Sequence, residues 1–80
     1  MKARVHVTLK REVLDPQGDA VRRALVSLGF SGVRDVRVGK LVEIEMDGAD
    51  HARAEQDLRA MCEKLLANAI IEEFDFEILR

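Results

Sequence analysis

The chain has 80 residues, a formal net charge of −2, 48% apolar residues, one cysteine and neither Trp nor Tyr. That size suits one domain, 1–80, near the lower limit that one core sustains without metals or disulfides, and the apolar share excludes a disordered chain. The lone cysteine excludes an internal disulfide, the acidic balance argues against a nucleic-acid footprint, and no segment is long and apolar enough to span a bilayer.

The opening residues Met1 to His6 lack the apolar run of a secretion signal, so the expected location is the cytoplasm. Ala3, Val5, Val7 and Leu9 alternate with Lys2, Arg4, His6, Thr8 and Lys10, a period of two that predicts a strand with one buried and one wet face. A helix start follows at Val13 to Gly18. Asp15 is placed to accept from a first-turn amide, and Pro16 fits the first helical position, where its missing N–H is no loss. Gly18 then costs roughly 0.8–1 kcal/mol against alanine in a helix, so it needs a reason. The usual one is close approach of another backbone or of a partner subunit. Val21, Ala24, Leu25 and Leu28 form one stripe, predicting a helix over 16–28. Gly29 suits a left-handed end, with Phe30 folding back on the last turn.

Val36, Val38, Val42, Ile44 and Met46 keep one phase across Gly39-Lys40. A two-residue hairpin there would mix apolar and charged residues on one face. One long strand bent at Gly39 needs the fewest assumptions, and a ferredoxin-like hairpin is the alternative. Lys40 falls on the apolar face and must leave it or be paired. Gly39-Lys40 lacks the longer glycine pattern of a phosphate loop. Asp47 and Asp50 are cap candidates for a second helix, with Leu58, Met61, Cys62, Leu65 and Leu66 as its stripe and Asn68 as a left-handed stop. Glu55 and Arg59 have the spacing of a surface pair. The last strand sets Phe74, Phe76 and Ile78 against Glu73, Asp75 and Glu77, with Glu72 the exception among the clustered acids.

The fold class is therefore α+β: an antiparallel sheet with two helices on one face, a half-sandwich related to the ferredoxin-like fold, with a long bent middle strand. A rod of about thirteen residues at roughly 3.3 Å each outreaches one small core, which predicts an intertwined dimer. Basic residues on the first strand against acidic ones on the last suit cross-strand or cross-subunit pairing. Chemistry is not encoded in any familiar pattern. His6 and His51 lack a partner at metal-ligand spacing, and Thr8, Ser27 and Ser31 lack an accompanying base and orienting acid. Cys62 reads as a small buried hydrophobe.

Three segments carry a resemblance to a known family: Val13 to Gly18 with Ala20-Val21 and Ala24-Leu25, Val33 to Lys40, and Met61 to Asn68 leading into Ile70-Ile71-Glu72. Together they resemble the PurS family, the small accessory subunits of bacterial and archaeal phosphoribosylformylglycinamidine (FGAM) synthase in purine biosynthesis. The resemblance implies a subunit without catalytic residues, metal or cofactor of its own, although the assembled enzyme is an ATP- and glutamine-dependent C–N ligase. The implied partners are a glutaminase (PurQ-type) subunit and a synthetase (PurL-type) subunit using ATP and Mg, with ammonia passing between them. Asp15, Pro16, Gln17, Gly18, Arg37, Gly39 and Lys40 are the candidate subunit-interface residues. The alternative reading is a free-standing ACT-type regulatory domain that binds a small ligand. That type usually has a glycine-bearing first loop to receive an amino acid, where this chain has Asp15-Pro16-Gln17-Gly18.

Overall fold

The computed structural model describes residues 1–48 and 50–79. Strand β1 (Lys2–Leu9) leads to helix α1 (Pro16–Ser27), strand β2 (Gly39–Glu45), helix α2 (His51–Met61) and strand β3 (Glu72–Leu79). The sheet has three strands in the order β2-β1-β3, both pairings antiparallel. β1 takes the centre, where its small inward residues fit between two neighbours: Ala3, Val5 and Val7 are the innermost residues of the sheet. Its wet face is tied across strands within the chain, by Arg4 to Glu43 (3.3 Å) and Glu77 (3.9 Å), and by His6 to Asp75 (3.2 Å).

The core lies between the sheet and α2. Leu58 and Cys62 are fully buried against β1, with Phe74, Phe76 and Ile78 of β3 packed round them. Asp50 caps α2, accepting from the amides of Ala52 and Arg53, so the second of the two cap candidates holds the position. Arg59 does not reach for Glu55: its guanidinium lies over the Phe76 ring, 5.4 Å from the centroid. Beyond Met61 the helix widens into a single π-helical turn, Cys62–Leu66. A wider turn rotates everything after it, and Leu65, expected in the stripe, is 83% exposed. Asn68 is not left-handed. It builds the following turn through its side chain, which accepts from Ile70 N–H, and its carbonyl, which accepts from Ile71 and Glu72.

Two further expectations are corrected. The middle strand is seven residues, not a long rod, because its first pair is Thr8↔Gly39 and β1 ends one residue later. Residues 33–38 run on without a strand partner, so the ferredoxin-like hairpin is absent as well. Of the two helices, α2 alone covers the sheet. α1 ends as the sequence suggested, with Gly29 at φ +104° and a paired set of bonds, Phe30 N–H to Leu25 and Gly29 N–H to Val26. Yet Gly18 is the only buried residue among its twelve. The molecule is accordingly drawn out, 48 × 27 × 14 Å, with a radius of gyration of 16.0 Å. A compact chain of this length comes to about 12 Å.

Candidate subunit interface

The seven candidate residues, although spread from Asp15 to Lys40, meet at one junction between the start of α1 and the start of β2. Asp15 makes the junction. Its Oδ1 accepts from Gly18 N–H (2.8 Å), which caps the helix. Its Oδ2 accepts from Val38 N–H (2.8 Å), which ties the cap to the residue before β2. The Gly18 and Val38 amides hold the Asp15 carboxyl below the ordinary carboxylate value, against a partial desolvation and with smaller help from the Arg37 guanidinium and Gln17 amide. Arg37 closes the other side, donating from Nη1 to the Val13 carbonyl (2.7 Å) and from Nη2 to the Arg11 carbonyl (3.0 Å).

Both glycines have steric reasons within the chain. A methyl group at Gly18 would overlap the Val36 carbonyl oxygen. The close backbone inferred from the sequence is thus the chain's own 36–38 segment, and no partner subunit is needed to explain the residue. At Gly39 a methyl carbon would sit 2.6 Å from the Val7 carbonyl oxygen across the ladder. Pro16 opens α1, and Gln17 and Lys40 line a cavity of about 300 Å³ with Asp15, Thr8 and Glu72. Lys40 pairs with Val7 in the register, so it sits on the apolar side of the sheet, but at an end that α2 leaves uncovered, and it is exposed there. Glu72 has the same placement on β3 opposite Leu9, and its Oε1 accepts from Asn68 N–H (2.7 Å).

Sequence reasoning missed the second oxygen of Asp15 and the two carbonyls held by Arg37. A helix cap needs one acceptor, and an aspartate supplies two. Nothing in the pattern announces where the spare one goes. Several exposed apolar residues were also missed: Leu14 and Ile70 lie at turns outside the periodic stripes, while Leu28, expected in the α1 stripe, and Phe30, expected to fold back on the last turn, are both exposed. Among the described residues, no helix is long and apolar enough to cross a membrane.

Comparison with known proteins agrees along the whole length. The PurS family, described as phosphoribosylformylglycinamidine (FGAM) synthase, matches residues 2–80. The chain is 49% identical to the PurS subunit of that synthase from Synechocystis sp. over 75 residues, 94% of this chain and 75% of the relative. Identity to the Bacillus subtilis PurS subunit is 46% over 77 residues, 96% and 90% of the two chains. Among solved structures, B. subtilis PurS superposes with a TM-score of 0.87 at 44% identity, covering 99% of this chain and 98% of that one. The structure of PurLQS from Thermotoga maritima matches with a TM-score of 0.89 at 28% identity, covering 98% and 95%. The ACT-type reading loses its ground, since the family match spans the chain and the first loop is filled by the chain's own 36–38 segment. Matched by the family over residues 2–80, 49% identical to a PurS subunit and superposing on B. subtilis PurS along nearly its whole length, the chain belongs to the PurS family of FGAM synthase subunits.

Proposed function

We propose that this chain is the non-catalytic accessory subunit of an FGAM synthase, holding a glutaminase subunit and an ATP-dependent synthetase subunit in register so that ammonia passes between them. The observation that carries this is the full-length likeness to PurS, extending to the solved PurLQS assembly of T. maritima. Ammonia freed from glutamine loses its nucleophilic lone pair once protonated in water, so a protected transfer between two active sites needs them fixed relative to each other. A small chain with an elongated body and exposed apolar residues at several turns suits that duty better than one with a buried pocket. ATP and Mg belong to the synthetase partner in this scheme. The chain works in the cytoplasm as a dimer or higher oligomer, and the junction at Asp15, Pro16, Gln17, Gly18, Arg37, Gly39 and Lys40 contributes to its subunit contacts.

Reconstitution tests the proposal. Synthetase and glutaminase subunits from the same source are mixed with and without this chain, and FGAM formation is followed with glutamine or with ammonium salt as nitrogen source. Glutamine-dependent turnover is expected only in the three-part mixture, while ammonia-dependent turnover proceeds without the chain. Equal glutamine-dependent rates with and without it would refute the role. Purified alone, the chain is expected to release no glutamate from glutamine beyond a denatured control.

A further inference from the structure

α1 is a helix of twelve residues that buries only Gly18, so its own packing does not fix its direction. Among the described residues, the bonds that do fix it lie at its first turn and in the segment leading into it. Asp15 bridges Gly18 N–H and Val38 N–H. Arg37 ties the incoming strand of chain at Arg11 and Val13. Gly18 lets the Val36 carbonyl close in where any side chain would stand. We propose that Asp15, with Arg37 and Gly18, forms a clamp that sets the angle of α1 as a projecting arm on the body made by the sheet and α2, and that Asp15 is thereby a positioning residue for assembly. The geometry supports this division of labour. One carboxylate oxygen serves the helix alone, whereas the other serves only the connection to β2. Among the described residues α1 also carries no second polar tether: its remaining polar contacts, Asp19 with Arg22 and Arg23, stay within the helix.

Asp15→Asn separates the two roles. The Asn carbonyl keeps the cap on Gly18, but the amide nitrogen is a donor and cannot accept from Val38 N–H. Arg37→Ala removes the other half of the clamp without touching the cap. In the isotope-labelled full chain, amide exchange and residual dipolar couplings read the arm directly. For both variants, helical protection within α1 and the couplings of β1, β3 and α2 are expected to stay as in the unaltered chain. Val38 should lose at least tenfold of its protection, and the α1 couplings should shrink as the arm averages over directions. α1 couplings that still fit the orientation of the sheet, or an α1 that melts outright, would overturn the clamp.

The consequence for assembly rests on the proposed function above. An arm only partly at the right angle lowers apparent affinity by the competent fraction. Asp15→Asn should therefore raise about tenfold the concentration of chain giving half-maximal glutamine-dependent turnover, with the plateau kept. A freed arm with an unchanged half-maximal concentration would overturn that consequence. Failure of the unaltered chain to support turnover would instead refute the accessory role and leave the clamp to the couplings.

Discussion

Gly18 and Asp15 show how much one helix start can hold. Because a methyl at position 18 would overlap the Val36 carbonyl oxygen, Gly18→Ala is expected to weaken the closed junction by about 1–3 kcal/mol, the usual cost of overpacking. This outweighs the better helix propensity of alanine, and loss of Val38 amide protection would register it. A Gly18→Ala chain with full protection would place the 36–38 segment farther from α1. Asp15 gives a pH dependence of definite sign. Its folded pKa lies below the ordinary value of about 3.9, so the stabilisation it contributes is present above that value and is lost as pH falls through the lower folded one. Titrated by NMR, the Gly18 and Val38 amide protons should move together with one midpoint below 3.9. Separate midpoints would mean that two different groups hold them.

Among the elements, α2 makes the sharpest contrast. Leu58→Ala should destabilise by about 2–5 kcal/mol, since the side chain is fully buried against β1. Leu65→Ala should stay within about 0.5 kcal/mol in the folded chain, as an exposed substitution does. Denaturant midpoints decide both, and a large effect at Leu65 would show that the π turn does not persist in solution. The periodicity of the strands was legible because alternation is imposed directly by burial of one face, and β1 and β3 follow it residue by residue. The end of α1 was legible from Gly29, since a left-handed position has few chemical solutions. A π turn has no such signature, and the helical period carried past Met61 put Leu65 on the wrong side. The length of β2 was hidden for another reason. Val36 and Val38 stay in phase with Val42 because the segment is extended, but a strand ends where its partner does, and β1 gives out just past Thr8. At the junction, the cap role of Asp15 and the need for a close backbone at Gly18 were readable, while the bonds from Asp15 to Val38 and from Arg37 to Val13 and Arg11 were not.

The whole molecule is long and thin for its mass, with Leu14, Leu28, Phe30, Leu65 and Ile70 all exposed. Apolar surface of this kind on a 9.0 kDa chain favours association, and light scattering at micromolar concentration should return a dimer or larger. A clean 9.0 kDa mass would count against self-association. The reason for expecting it has shifted from the length of the middle strand to these exposed apolar residues.

Cys62 gives the chain a built-in stopwatch. The thiol is fully buried under α2 and burial pushes its pKa up, so a thiol reagent finds it only when the helix lifts from the sheet. Labelling rate then times the opening of the body while remaining blind to α1. Leu58→Ala should quicken it about 30-fold or more, in keeping with its loss of stability. Asp15→Asn should leave it untouched, even in a chain whose arm swings freely.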